Sequence, residues 1–284
     1  MLLCFHGTLV RGERLGLADR AALARRTGYQ AMDFGCREVE DALAARPGLS
    51  AAGLWAELGL RPGMAGGVPI PDPFAPDAEF DRGLADVPGR AAAAAAAGAT
   101  QVGLVLRNRS DLPEPESRAL VGRRLRRIGE ALAPAGLRLA VEFIGVRHLW
   151  TNLAHPFAQR YTELLSVLED TGRDNVGFLL DSYHWYGAEA SLEDVASTPR
   201  ERIVYLHVND AKPGPASAIQ DADRLLPGEG VIDLAGWFRA VARTGYDGCV
   251  APEVLGPRMQ GMTSEQAAVA CGDGIRAALR EAGL

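Results

Sequence analysis

The chain has 284 residues, 48% hydrophobic and 23% charged, which is enough to bury a substantial core in one large α/β domain or two smaller ones. A net charge of -6 and a pI near 5.5 exclude a nucleic-acid surface built on clustered Lys and Arg in excess. Cys4, Cys36, Cys249 and Cys271 are scattered, without a CxxC pair or a secretory signal ahead of them, and no apolar run reaches the ~18 to 20 residues that span a bilayer, so a soluble, cytoplasmic protein with reduced thiols is expected.

Leu2 to Phe5 is a short apolar run followed by His6-Gly7, and Leu15 to Thr27 then shows helical spacing that closes at Gly28. Ala31 to Phe34 predicts a second strand, and Val39 to Ala45 and Leu49 to Leu58 predict helical turns interrupted at Pro47-Gly48. A weak, glycine-rich third strand, Met64 to Val68, leads into Pro69 to Pro76, which can be neither helix nor central strand. This segment reads as a long loop after a strand, with Phe74 either covering a pocket or lying on a plain surface loop.

Phe80 to Ala97 predicts a helix whose alanine run from Ala91 to Ala97 favours that state without carrying chemistry. Val102 to Leu106 is the fourth strand. The amphipathic stretch Glu116 to Leu132 follows, its Arg123, Arg124, Arg126 and Arg127 reading as a solvated face. Leu137 to Val141 is the fifth strand and ends at Glu142. After a helix over Tyr161 to Glu169, Val176 to Leu180 is the sixth strand and ends at Asp181. A short helix near Leu192 to Ala196 precedes Ile203 to Leu206, the seventh strand, which ends at His207. Leu234 to Arg243 is helical, Cys249 to Pro252 is the eighth strand and ends at Glu253, and Ser264 to Ala282 is the last helix.

Eight alternations in a chain of this length predict a single (β/α)8 TIM barrel over residues 1–284. No GxGxxG follows the first strand and no Walker-type loop is present, so the open dinucleotide-binding sheet lacks its signature. Buried parallel strands read as continuous apolar runs, and reactive residues gather where such strands end. Glu142, Asp181, His207 and Glu253 end the last four strands and would therefore stand side by side on one rim.

Carboxylates and an imidazole packed together repel unless a cation lies among them. Each residue taken alone reads as well as a surface or capping side chain, but four in register on successive strands favour a divalent metal site. Oxygen-rich ligation with one nitrogen suits Mn2+ first, then Mg2+, and tolerates Co2+ or Zn2+. His184, three residues past Asp181, is expected on a loop beyond the rim, in reach of a substrate oxygen or simply packed there. His6, His148 and His155 have no spacing that ties them to the cluster. Trp55, Trp150, Tyr183 and Trp185 would line a pocket or fill the core.

Leu180-Asp181-Ser182-Tyr183-His184, Leu206-His207-Val208-Asn209-Asp210, Arg224 ahead of Leu226-Pro227-Gly228-Glu229-Gly230-Val231-Ile232-Asp233, and Pro252-Glu253-Val254 together resemble the xylose isomerase-like TIM barrel superfamily. The resemblance is closest to its sugar phosphate isomerase/epimerase family, which includes ketose 3-epimerases, hydroxypyruvate isomerase and inosose-processing enzymes. It is sharp in the carboxyl half of the chain and holds only in outline in the amino half. It implies that Glu142, Asp181, His207 and Glu253 bind one divalent metal, that Glu142 and Glu253 exchange protons with substrate carbon, and that His184 and Arg224 hold substrate oxygens. Glu229, inside the Gly228-Glu229-Gly230 signature, reads as structural. The chain departs from the pattern at Gly66-Gly67-Val68-Pro69, where relatives often carry a histidine, and at Val146-Arg147-His148, where some epimerases carry an acid. Both departures concern the grip on the substrate.

The expected activity is a metal-dependent sugar isomerase or epimerase that moves a proton next to a carbonyl through an enediolate. Its partner would be a small carbohydrate or cyclic polyol ketone, with no nucleic acid and no membrane, and a homo-oligomer is compatible with the sequence. The same base and metal would serve a lyase or dehydratase acting on a keto-sugar, inosose or keto-glycoside, which is the alternative. An endonuclease IV-like DNA repair enzyme shares this barrel but needs several more histidines on the earlier strands, and 63–71 and 102–108 contain none. A binding barrel without turnover is the remaining alternative, and metal content would distinguish it.

Overall fold

The chain is described from a computed structural model over residues 1–150 and 154–284. Its central feature is a closed barrel of eight strands, hydrogen-bonded to their neighbours in chain order: β1 (Leu2–Phe5), β2 (Ala31–Gly35), β3 (Arg61–Gly66), β4 (Gln101–Val105), β5 (Arg138–Glu142), β6 (Val176–Asp181), β7 (Ile203–Val208) and β8 (Cys249–Pro252). All are parallel, and β8 closes the ring on β1. The expected (β/α)8 architecture is therefore the observed one.

Side chains alternate along each strand. Phe5, Met32, Phe34, Leu139, Val141, Phe178, Leu180 and Val250 join the main core between barrel and helices. Cys4, Ala140, Leu179, Tyr205 and Ala251, one position away, form a second cluster inside the barrel. Burial on both faces explains why these strands read as unbroken apolar runs. All four cysteines are free and buried, and among the described residues no helix is long and apolar enough to cross a membrane.

The surrounding helices are α1 (Leu17–Arg26), α2 (Cys36–Ala44), α3 (Ala51–Leu58), α4 (Asp77–Ala96), α5 (Glu114–Leu132), α6 (Tyr161–Asp170), α7 (Ser182–Gly187), α8 (Leu192–Ala196), α9 (Leu234–Arg243) and α10 (Ser264–Ala282). Three local features depart from the sequence reading. The third strand begins at Arg61 and leaves the sheet after Gly66, because the Arg61 N–H donates to Gln30 O at 2.9 Å. Helix α7, directly after β6, was not expected; the Asp181 carboxylate supplies its N-cap by accepting the Tyr183 N–H at 2.6 Å. The arginines of α5 do not form a uniformly solvated face. Arg124 is buried, donates to Pro73 O at 3.0 Å and Ala75 O at 2.6 Å, and lies 4.5 Å over the Phe80 ring, so it pins the proline-rich segment. Phe74 of that segment packs edge-on against Phe157 at 5.4 Å and does not line the cavity at the barrel mouth.

The connection from β7 to α9 is held by one carboxylate. Asp210 is 1% exposed and accepts N–H groups from Ala211 (2.8 Å), Gly228 (3.1 Å), Gly230 (2.9 Å) and Ile232 (2.9 Å). Its backbone also pairs with Leu225, next to Arg224. Asp210→Ala would strand these donors, and urea unfolding is expected to show a loss of about 3 to 5 kcal/mol. A loss below about 1 kcal/mol would mean that the loop holds itself without the carboxylate.

Candidate active site

Glu142, Asp181 and His207 occupy the last inward-facing positions of β5, β6 and β7, and Glu253 directly follows β8. One ligand atom from each lies within 4.8 Å of the others. His207 Nδ1 is 3.5 Å from Glu142 Oε1 and 3.4 Å from Glu253 Oε2, too far for good N–H···O bonds. Glu142 Oε1 and both His207 ring nitrogens are buried and have no hydrogen-bond partner among the described residues.

The electrostatics follow from crowding in a dry place. Burial pushes the Glu142 carboxyl above its ordinary pKa. Burial opposes charge on His207, but Glu253 and Glu142 outweigh it and raise the imidazole well above its usual value. Burial also works to raise Glu253, yet His207 and Arg224 hold it well below the usual carboxylate range. Buried carboxylate oxygens and an imidazole nitrogen within 4.8 Å of one another are what a divalent cation satisfies, so the donor set fits such an ion.

Neighbouring groups fix these donors in place. Asp181 Oδ2 accepts from Arg224 Nη1 at 2.8 Å, and Asn209 Nδ2 lies 3.3 Å from both Asp181 oxygens and 3.1 Å from Glu253 O. Arg224 Nη1 also reaches Glu253 Oε2 at 2.8 Å, while Nη2 reaches Asp221 Oδ1 at 2.7 Å and His184 Nε2 at 3.3 Å. His184 lies within α7 rather than on a loop beyond the rim. It and Arg224 are each 2% exposed, and neither lines the cavity over the donors.

That cavity has a volume of about 760 Å³, in the range that accepts a small ligand. Its wall includes Glu142, His207 and Glu253 together with His6, Asp33 and Met64. His6 belongs to a second donor group with His207 and Glu253, and its ring centroid is 5.1 Å from that of His207. Burial first, then His207, lower its pKa. His6 follows β1 just as Glu253 follows β8, so the strand-end criterion that found the other four also marks it. Asp33 and Asn209 carried no such signal.

His148 and His155 belong to neither donor group. None of the singled-out aromatics lines the cavity. Trp55 packs on Phe34 at 5.0 Å, and the Tyr183 hydroxyl donates to Gln220 O at 2.7 Å. The indole N–H of Trp185 donates to Ser191 O at 3.2 Å and that of Trp150 to Ile144 O at 2.9 Å. Glu229 accepts the Leu226 N–H at 3.2 Å and pairs with Arg258, apart from the donors.

Comparison with known proteins adds the family. An inosose isomerase of Halalkalibacterium halodurans is 31% identical over 143 residues, covering 50% of this chain and 48% of that protein. A 3-dehydroshikimate dehydratase of Pseudomonas aeruginosa is 28% identical over 166 residues, 57% of this chain and 24% of that protein. The chain thus spans about half the length, or less, of these curated relatives. Among solved structures, a xylose isomerase domain protein from Alicyclobacillus acidocaldarius superposes with a TM-score of 0.84 at 33% identity over 100% of both chains. The IOLI protein, solved with a zinc atom, superposes with a TM-score of 0.81 at 20% identity over 99% of both chains and so shares the fold. The model of the xylose isomerase-like TIM barrel family matches residues 21–277, and the chain belongs to that family.

Proposed function

We propose that this protein is a divalent-metal-dependent isomerase or epimerase of a sugar or sugar-like cyclic ketone. The observation that carries this reading is the pair of carboxylates, Glu142 and Glu253, both beside His207 Nδ1 at 3.5 and 3.4 Å at the wall of a ligand-sized cavity. The inosose isomerase relative supports the reaction class, and the zinc bound by the IOLI protein, which shares the fold, supports a metal.

In this reading Glu142, Asp181, His207 and Glu253 hold the ion, with Mn2+ the first choice for so oxygen-rich a set. When bound, the ion would polarise a carbonyl and stabilise negative charge growing on its oxygen. Glu142 and Glu253 act as the acid and base: one takes the proton from the carbon next to the carbonyl, and the other returns a proton from the opposite side. Return to the same carbon epimerises, and return to the neighbouring carbon isomerises. Arg224 and His184, to which the resemblance assigns substrate oxygens, sit behind the rim and are read as positioning residues for Asp181 and Glu253.

Elimination is a second reading, favoured by the likeness to a dehydratase. Incubating the Mn2+-loaded protein with ketoses, inososes and keto-glycosides in heavy water separates the two. Deuterium in recovered substrate or isomer, without an unsaturated product, is expected; an unsaturated product would replace the isomerase reading with the lyase one. A protein that exchanges no proton with any of them would overturn both.

Two further outcomes follow from the donor set. Purified protein should carry about one divalent ion per chain, lose activity on chelation and regain it with Mn2+; elemental analysis that finds no metal would contradict this. Glu142→Gln and Glu253→Gln should each lower turnover by about 10² to 10⁴-fold, the usual range for a lost acid or base, while circular dichroism stays unchanged. A variant with full turnover would remove that residue from the proton transfer.

A further inference from the structure

We propose that Asp33 receives a substrate hydroxyl remote from the reacting carbons, making the cavity floor selective for a neutral polyhydroxy ligand; this rests on the sugar-like substrate class proposed above. The inference starts from an irregularity in the barrel. Between β2 and β3, Met32 pairs with Pro62 and Phe34 pairs with Ala65, so Gly63 and Met64 together face Asp33 alone. Such a bulge frees a backbone donor and re-aims a side chain. The freed Met64 N–H donates to Asp33 Oδ1 at 2.7 Å. A Cβ on Gly63 would stand 2.3 Å from that oxygen and 2.5 Å from Cys4 Sγ, so the carboxylate has its place only because residue 63 is glycine.

Oδ1 is fully engaged: it also accepts the Tyr205 hydroxyl at 2.6 Å and the Cys4 thiol at 3.3 Å. Oδ2 is different. It is buried, has no hydrogen-bond partner among the described residues, and belongs to a residue of the cavity wall. The next inward positions above, Gly35 on β2 and Gly66 on β3, also line the cavity and carry no side chain, so the cavity descends to the carboxylate on this side of the barrel. Asp33 is in neither metal-donor group and in no ion pair among the described residues. Of the two arginines on the cavity wall, Arg20 is bound to Glu38 through contacts of 2.7 and 2.6 Å, and Arg14 is exposed.

A buried acceptor fixed by three donors on its other oxygen calls for a donor from the ligand. A hydroxyl supplies one; a phosphate or carboxylate presents further acceptors and is repelled. A site built this way penalises an analogue that lacks the hydroxyl, because the acceptor is then left dry and unpaired.

The test is calorimetric binding of a cyclitol without a carbonyl, and of its monodeoxy analogues, to Mn2+-loaded native protein, Asp33→Ala and Tyr205→Phe. Native protein should bind one monodeoxy analogue about 10²-fold or more weaker than the parent. Asp33→Ala, which removes the acceptor, should bind the two within about threefold, and Tyr205→Phe should keep the discrimination. Gly66→Leu provides an independent variant: a Cβ there meets only Phe34 O at 3.7 Å, and the side chain would fill the well above Asp33 and also erase the discrimination. Equal binding of all analogues by native protein, or discrimination retained in Asp33→Ala or Gly66→Leu, would overturn the role of Asp33 alone. Native protein that binds no cyclitol and exchanges no proton with any ketone would overturn the sugar-like reading itself.

Discussion

Glu142, Asp181 and His207 are at most 4% exposed, and with Glu253 they bring three carboxylates and an imidazole within 4.8 Å of one another. Like charges held this closely in a dry place are unfavourable unless each is neutralised or hydrogen-bonded. Much of the surrounding structure serves that requirement. Arg224 joins Asp181 to Glu253, Asn209 bonds both, and the first N–H groups of α7 turn toward Asp181. Arg224 is held in turn by Asp221, and the loop that follows it is anchored on Asp210. These groups leave Glu142 Oε1 and the two ring nitrogens of His207 without a hydrogen-bond partner among the described residues, and Nδ1 is the nitrogen turned toward Glu142 and Glu253.

The two halves of the barrel divide the work. Strands β5 to β8 bring the charged donors, and their motifs carry the resemblance to the family. Strands β2 to β4 bring space: Gly35, Gly66 and Gly103 line the cavity where side chains would otherwise close it. The absence of a histidine near the end of β3 is part of that opening, which has Asp33 in its wall. A shared chemical centre on one side and an open, chain-specific wall on the other is how one barrel comes to serve different substrates.

The barrel and the four donors were legible because one physical rule connects them: a strand buried on both faces is apolar until it reaches the rim, so a carboxylate or imidazole ending such a run is conspicuous. His6 meets the same rule at the end of β1, but its distance in sequence from the other strand ends gives it no spacing that ties it to them. Asp33 was illegible for a better reason. Its meaning depends on a bulge opposite Gly63 and on glycines in neighbouring strands, none of which a local pattern contains. Helix α7 was hidden because it is short and its cap is the strand-end carboxylate, so the residue that ends the strand also begins the helix. The placement of Arg224 was likewise invisible, since its partners come from β6, β8 and its own loop.

The central claim, that Glu142, Asp181, His207 and Glu253 together bind one divalent ion, is tested most directly by diffraction from crystals grown with Mn2+ and measured at the manganese absorption edge. One anomalous peak, bounded by a carboxylate oxygen from each acid and a ring nitrogen of His207, is the predicted result. A peak elsewhere, or a cluster with no peak in protein that binds Mn2+ in solution, would contradict it.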